Sequence, residues 1–143
     1  MSELDPIERA VTVPAAAERA FNHFVEDFGA WWPNRYSWSG DVLEEIGIEG
    51  HAGGHCYEIG PGGFRCDWGT VVVFERPSRL VFTWQINPDR TPQPDPALAG
   101  VVEVRFGAHD DHGGLCRVTL EHRGFERYGD DGAAYRAALD GSG

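Results

Sequence analysis

Residues 101–123 read VVEVRFGAHDDHGGLCRVTLEHR, with two runs of alternating polar and apolar residues on either side of a turn rich in Asp and Gly. Because alternate side chains of a strand point to opposite faces, the pattern predicts two antiparallel strands, at 101–108 and 115–123. One face would be wet, with Glu103 and Arg105 on it, and the other would be buried. The residues of the buried face are Val102, Val104, Phe106, Val118, Leu120 and His122.

Upstream of this hairpin, short β-branched and aromatic runs alternate with Gly, Pro and Asp, which is typical of further antiparallel strands. These strands are predicted at 7–13, 42–49, 54–59, 64–75 and 79–86. Alternation in the last of them favours one inward set, Leu80, Phe82, Trp84 and Ile86. The run 64–75 is apolar on both faces, so its register stays open. The linker 87–100 contains four prolines, which predict an irregular, mobile loop.

Two helices are predicted, one near each end of the chain. After the first strand, Pro14 fits the first turn of a helix. The apolar residues that follow recur at spacings of three and four: Ala17, Phe21, Phe24 and Phe28. Gly29 and Pro33 end this pattern and leave an irregular connection rich in Trp. Near the C-terminus, Asp130 and Asp131 are suited to cap a helix of about nine residues that includes Tyr135.

The composition fits one domain and excludes several activities. A chain of 143 residues, 41% of them hydrophobic, can form one core, so we expect a single α+β domain over 1–143. All 12 basic residues are Arg, and without Lys neither a Walker phosphate loop nor Schiff-base catalysis is possible. The net charge of −11 makes nucleic acid an unexpected partner. Without a long apolar run or a signal peptide, we expect a cytoplasmic protein that does not insert into membranes.

Several short motifs occur in order along the chain. They are Gly53-Gly54 with Tyr57-Glu58, Trp68-Gly69-Thr70-Val71, Pro77-Ser78-Arg79-Leu80 with Phe82-Thr83-Trp84, and VTLEHRGFER at 118–127. With the order of elements, they resemble the START/Bet v 1-like (SRPBCC) superfamily, and within it the bacterial branch related to activators of the heat shock protein 90 ATPase. The resemblance implies a helix-grip fold, with a curved antiparallel sheet wrapped on a C-terminal helix and N-terminal helices after the first strand. The C-terminal helix is shortened here, and His51 and His55 stand where the family more often has Arg.

The resemblance also implies a cavity between the sheet and the C-terminal helix, which in the superfamily holds lipids, polyketides, hormones or other hydrophobic molecules. A concave apolar wall with a few polar groups suits such ligands. The residues expected to line it are Trp32, Trp68, Phe82, Trp84, Val104, Phe106, Leu120, His122 and Tyr135. Ordinary core packing is the alternative for the aromatic rings, and a purely structural role is the alternative for His122.

Other chemistries have weaker support in the sequence. Four side chains able to bind metal lie within eight residues: His51, His55, Cys56 and Glu58. Three of them, from 55 onward, cannot all face one side of a strand, so no metal site is predicted. Cys56 and Cys66 flank a short turn, which leaves a redox pair open. Glu58 or Glu121 would serve as an acid or base only if it pointed inward, and alternation places Glu121 outside.

These observations predict a bacterial helix-grip protein that carries or senses a small hydrophobic or aromatic molecule and needs no cofactor. Two alternatives stay open. One is a module that contacts a chaperone, as heat shock protein 90 activators do, and the other is a cyclase-like or hydrolase-like enzyme. The non-enzymatic role is favoured and no catalytic residue is assigned, because the sequence contains no nucleophile elbow or metalloprotease motif.

Overall fold

Seven antiparallel strands form one sheet in the computed structural model, which describes residues 5–28, 43–89, 91–108 and 115–142. The strands are β1 (Ile7–Val13), β2 (Glu45–Ile48), β3 (His55–Ile59), β4 (Arg65–Glu75), β5 (Arg79–Trp84), β6 (Gly100–Ala108) and β7 (Cys116–Arg123). Their spatial order is β1-β7-β6-β5-β4-β3-β2, so only the pair of β1 with β7 is not consecutive in sequence. The seven predicted strands are confirmed, although β2 is shorter than the predicted 42–49.

The sheet curls into a half-barrel. The strand pairing shifts in register between Cys56 and Tyr57 of β3, and again between Val71 and Val73 of β4. Such bulges increase the local twist and bend a strand. The first shift explains why alternation could not settle the register of 64–75. Cys56 pairs with Gly69 and Tyr57 with Asp67, so Trp68 is an extra residue in β4. Trp68 and Val71 are therefore both buried although they lie three residues apart.

Helix α1 (Ala17–Glu26) packs against the concave face of the sheet. The prediction that Pro14 lies in its first turn is wrong, because the helix begins at Ala17. The chain first makes a turn in which the Ala15 N–H donates to the Val13 carbonyl. The predicted apolar face of the helix is confirmed by Phe21, which is fully buried and meets the Phe106 ring edge-on at a centroid distance of 5.2 Å.

The strand β5 is buried on both faces of the sheet. Leu80 and Phe82 of the predicted inward set are buried on the concave side, and Trp84 and Ile86 are half-buried. Thr83 is buried on the other side, where its hydroxyl donates to the Gln85 Oε1 atom. Gln85 in turn donates from Nε2 to the Gln93 carbonyl, so the loop after β5 covers this part of the sheet.

The loop after β5 has little regular structure, as its prolines predict. It makes one isolated β-bridge between Ile86 and Pro92 and one short 3-10 helix, Pro96–Leu98. The side chain of Asp95 caps that helix by accepting from the Ala97 N–H at 2.9 Å. Two hydrogen bonds between Gln85 and Gln93 therefore hold an otherwise irregular segment against the sheet.

The convex face of β6 departs from the predicted wet face at one residue. Glu103 is only 6% exposed, because arginine side chains cover it. Its carboxylate accepts hydrogen bonds from Arg79 at 3.0 Å, Arg105 at 2.5 Å and Arg123 at 3.0 Å. These donors, with Arg79 the largest contributor, lower the pKa of Glu103 from 4.5 to about 2. A charge that alternation assigns to solvent is thus buried under its own ion pairs.

The C-terminal segment consists of a 3-10 segment, Phe125–Asp131, and helix α2 (Gly132–Ser142), which confirms the predicted terminal helix. Two tyrosines attach it to the end of β5. The Tyr128 hydroxyl donates to the Trp84 carbonyl at 2.6 Å, and the Tyr135 hydroxyl donates to the Ile86 carbonyl at 2.7 Å. The helix is therefore held at the edge where β5 ends, and α1 is the helix that packs across the sheet.

Candidate ligand-binding groove

An open groove of about 1060 Å³ lies between α1 and the concave side of β1, β6 and β7. We call it the α1 groove. Its sheet wall is apolar and is made by Val104, Phe106, Val118 and Leu120, which are alternate residues of β6 and β7. The register places Val104 opposite Leu120 and Phe106 opposite Val118, so the four side chains form a continuous patch. The alternation of apolar residues in the sequence thus correctly predicted that these four side chains share one face of the sheet.

The opposite wall is one face of α1 and the turn before it. Ala16, Ala20, His23 and Asp27 line the groove. Their spacing of three and four residues places them on one side of a helix with 3.6 residues per turn. The two alanines leave room beside the apolar sheet wall, whereas His23 and Asp27 provide polar groups. Helix α1 therefore presents two faces, one to the core through Phe21 and one to the groove.

Charged side chains stand at the mouth of the α1 groove. The His23 Nδ1 atom lies 3.2 Å from the Asp27 Oδ2 atom, and the two side chains are 60% and 62% exposed. Arg19 precedes His23 by one helical turn and also lines the groove, as does Arg9 from β1. The groove thus combines an apolar floor with a polar rim, the usual arrangement of a site for a small organic molecule.

Three of the predicted cavity residues line the α1 groove: Val104, Phe106 and Leu120. Trp68 and Phe82 do not line it and lie in the packed core, to which the buried Val104 and Phe106 also belong. The Trp68 ring stacks on Phe28 at a centroid distance of 5.6 Å and meets Phe82 edge-on at 5.7 Å. Their neighbours in the core are therefore the chain's own aromatic side chains.

His122 lies on the concave face, as alternation predicts, but among aromatic rings. Its ring centroid is 4.7 Å from that of Phe125 and 5.5 Å from that of Trp84. The side chain is 7% exposed, and its Nε2 atom has no hydrogen-bond partner among the described residues. Burial lowers the pKa of His122 from 6.5 to about 4, so the imidazole is neutral near pH 7.

Tyr135 and Trp84 form a hydrogen-bonded pair beside His122. The Trp84 Nε1 atom donates to the Tyr135 hydroxyl at 2.8 Å, and that hydroxyl donates onward to the Ile86 carbonyl. Both polar atoms are thus used in attaching α2 to the sheet. The region around His122, Trp84 and Tyr135 differs from the α1 groove, and the predicted cavity residues fall into two separate neighbourhoods.

Two further predictions concern residues outside the groove. Trp32 lies outside the described residues. Glu58 proves to be an inward residue: it pairs with Ile46 of the core and is 1% exposed, whereas Glu121 is half-buried on the convex face. The sequence alone did not show which face of β3 is inward; in the structure burial alternates along this strand, with Cys56 and Glu58 both buried.

The structure also bears on the metal and thiol chemistry considered above. Among the described residues, no group of three or more His, Cys, Asp or Glu side chains could hold a metal ion. Cys56, Cys66 and Cys116 are free thiols. Burial raises the pKa of Cys56 strongly and that of Cys66 to about 11, so neither forms an appreciable amount of thiolate at neutral pH.

The polar residues of the groove are the ones that sequence reasoning missed. Six polar residues line it but belong to no recognised motif: Arg9, Glu18, Arg19, Asn22, His23 and Asp27. A signal for the helical ones does exist: Ala16, Ala20, His23 and Asp27 repeat at the helical period beside the stripe that contains Phe21. The sequence does not show that β1 lies beside these helix residues, and this neighbour is needed to form the groove.

Solved structures similar to this chain include proteins of several kinds. An anthrahydroquino-gamma-pyrone synthase, Txn09, matches with a TM-score of 0.65 and 29% identity, over 98% of this chain and 90% of that one. CalC, a self-sacrificing resistance protein from Micromonospora echinospora, matches with a TM-score of 0.60 and 25% identity, over 99% and 98%. PFC0360w, an HSP90 activator from Plasmodium falciparum, matches with 0.52 and 18%, over 83% and 72%. No protein-family model and no curated protein matches the sequence.

Proposed function

We propose that this chain, which has the START/Bet v 1-like (SRPBCC) helix-grip fold, binds a small hydrophobic or aromatic molecule in the α1 groove. The observation that carries the proposal is the open groove of about 1060 Å³ with a continuous apolar wall. Pockets for small organic ligands measure roughly 300–1,000 Å³ and are mostly apolar with a few polar groups. The α1 groove matches this description in size and in chemistry.

Of the predicted residues that line the groove, we assign Leu120 to direct contact with the ligand, because it is half-buried, whereas Val104 and Phe106 are buried and form the floor beneath it. Val118 also lines the groove and is half-buried, and full burial of an exposed aliphatic side chain contributes about 1.5–3 kcal/mol. Trp68 and Phe82 belong to the same core cluster as the buried part of this wall, and Trp84 and Tyr135 hold α2 to the end of β5 beside His122. The cavity expected under the C-terminal helix stays a prediction, and we propose the α1 groove as the site because it is open and has an apolar wall.

The groove can be tested with a neutral fluorescent probe, N-phenyl-1-naphthylamine, whose emission rises in apolar surroundings. Ala20→Trp places a large ring in the groove, so it should weaken binding of the probe at least tenfold. Ala137→Trp is the matched control, because Ala137 is an exposed alanine on the other helix and does not line the groove. Equal binding by both variants would show that the probe does not occupy the α1 groove.

Native mass spectrometry of the freshly purified protein tests the same proposal without a chosen probe. A bound small molecule that is released on denaturation would identify the class of ligand. The same ligand should be reduced or absent in Ala20→Trp and retained in Ala137→Trp. A ligand retained equally by both variants would place the binding site elsewhere.

A chaperone-directed role is the alternative function and rests on fold similarity alone. The similar HSP90 activator shares 18% identity with this chain, which supports a common fold and no common activity. If the chain does act on a chaperone, it should change the rate of ATP hydrolysis by heat shock protein 90. An unchanged rate at saturating concentration would exclude this role.

No helix in the described part of the chain is long and apolar enough to cross a membrane. The expected cytoplasmic location stays part of the proposal. Fractionation of cells that express the chain with a small epitope tag would test it directly.

A further inference from the structure

His23 and Asp27 make a side-chain hydrogen bond that ligand binding does not require. Both residues stand on the groove face of α1, one helical turn apart, and their side chains are joined at 3.2 Å. We propose that His23 is a general base, positioned by Asp27, that hydrolyses esters whose apolar part occupies the α1 groove. This inference rests on the proposed function and adds a reaction to it.

The hydrogen bond determines which imidazole nitrogen is available. A carboxylate can only accept, so with neutral imidazole Asp27 fixes the proton on Nδ1 and leaves Nε2 with a free lone pair. A carboxylate in this position also stabilises the imidazolium that forms when Nε2 takes a proton. An exposed His and Asp pair elsewhere on a helix would have the same bond but no apolar groove to hold a substrate beside it.

Arg19 supplies the third element of the proposed site. It lines the groove one helical turn before His23, and its guanidinium is always charged. A fixed positive charge near a carbonyl stabilises the negative oxygen that develops when water attacks. The three residues Arg19, His23 and Asp27 therefore follow one another along the rim of the groove, above the apolar wall.

The reaction uses water as its only co-reactant. His23 Nε2 removes a proton from water while the water oxygen bonds to the ester carbonyl carbon, and the carbonyl oxygen becomes an oxyanion facing Arg19. The bond from carbon to the leaving oxygen then breaks, and this oxygen takes the proton from the His23 imidazolium. The products are a carboxylic acid and an alcohol, and no oxidation or reduction occurs.

The position of the pair favours hydrolysis over chemistry that must exclude water. His23 is 60% exposed, so water reaches the imidazole freely while the floor of the groove is apolar. The expected substrates are aryl or alkyl esters whose acyl or aryl portion is large enough to bury against Val118 and Leu120. An ester without such a portion should be a poor substrate, because it gains little from the apolar wall.

The experiment measures hydrolysis of 4-nitrophenyl hexanoate and 4-nitrophenyl acetate at pH 7.5 by the full chain and its variants. His23→Ala should lower kcat/KM for the hexanoate about 100-fold, which is a typical contribution of a general base. Added imidazole should restore part of the lost rate, which a structural role of His23 would not predict. His51→Ala is the control for adventitious histidine catalysis, since His51 is exposed on a turn away from the groove.

Asp27 is a positioning residue, and its variants separate that role from substrate binding. Asp27→Asn should lower kcat with little change in KM, and Asp27→Glu should recover part of the loss. Hydrolysis that is equal in wild type, His23→Ala and His51→Ala would overturn the inference. If the wild type binds N-phenyl-1-naphthylamine without any hydrolysis, only this inference fails; if the probe does not bind in the groove, the proposed function itself fails.

Discussion

The ionisation of Glu103 should be visible in the stability of the folded protein. Its carboxylate accepts from Arg79, Arg105 and Arg123, and its pKa falls from 4.5 to about 2. Because the pKa is lower in the folded state, the unfolded state binds the proton more readily. The stabilisation is therefore complete above about pH 4.5 and is lost as the pH falls toward 2.

The size of the effect follows from this difference. A pKa that moves from 4.5 to about 2 corresponds to about 3 kcal/mol at 1.36 kcal/mol per pKa unit. Two of the arginine donors are substantially exposed, with Arg105 at 65% and Arg123 at 36%, so solvent screening weakens the interaction. We therefore expect Glu103→Gln, which keeps the shape and removes the charge, to lower the free energy of unfolding at pH 7 by about 1–2 kcal/mol.

Urea-induced unfolding, followed by tryptophan fluorescence, measures this difference at pH 7 and pH 3. At pH 3 the difference between wild type and Glu103→Gln should fall to about half or less, because unfolded Glu103 is then largely protonated. Glu121→Gln is the matched control; its described partner is Arg123, so it should cost less than about 0.5 kcal/mol at either pH. An equal loss of unfolding free energy for Glu103→Gln at both pH values, or no loss at pH 7, would show that the ionised carboxylate of Glu103 does not stabilise the fold.

Three further predictions concern the core and the C-terminal attachment. Burial lowers the pKa of His122 to about 4, so the unfolded state takes up a proton first; stability should fall between about pH 6.5 and 4, and His122→Phe should remove that part of the pH dependence in urea titrations. Tyr135→Phe removes the hydrogen bond that Trp84 donates and the one that Ile86 accepts, so thermal unfolding should show a free energy of unfolding lower by about 1–3 kcal/mol. An unchanged free energy would contradict the role of the hydroxyl in attaching α2. Phe21→Ala empties the centre of the aromatic core and should cost about 3–5 kcal/mol in the same assay; a loss below 1 kcal/mol would contradict its assigned place.

Much of the fold was predictable because the strands in its second half keep strict alternation. The inward set Val102, Val104 and Phe106 is buried as predicted, and the pairing of β6 with β7 follows from it. Alternation failed where the strand itself is irregular. The register shift between Val71 and Val73 places Val71 and Phe74 on the side of the core although they lie three residues apart, and no pattern in the apolar run 64–75 locates that shift.

The candidate binding site, the α1 groove, was less predictable because it depends on which elements become neighbours. The resemblance implies a cavity under the C-terminal helix, and that cavity stays a prediction. The α1 groove needs β1 to pair with β7, the one contact in the sheet between strands distant in sequence. Burial of Glu103 likewise depends on three arginines from three strands, which local sequence does not bring together.

A methyl NMR titration of the protein with N-phenyl-1-naphthylamine tests directly whether a small apolar molecule binds in the α1 groove. Val11, Val118 and Leu120 line the α1 groove and are not buried, and their methyl signals should shift and show contacts to the probe. Val81 pairs with Glu103 on the convex side and is buried there, so its signals should not move. Shifts confined to Val81, or no shift in the three groove residues at saturating probe, would contradict the assignment of the α1 groove as the binding site.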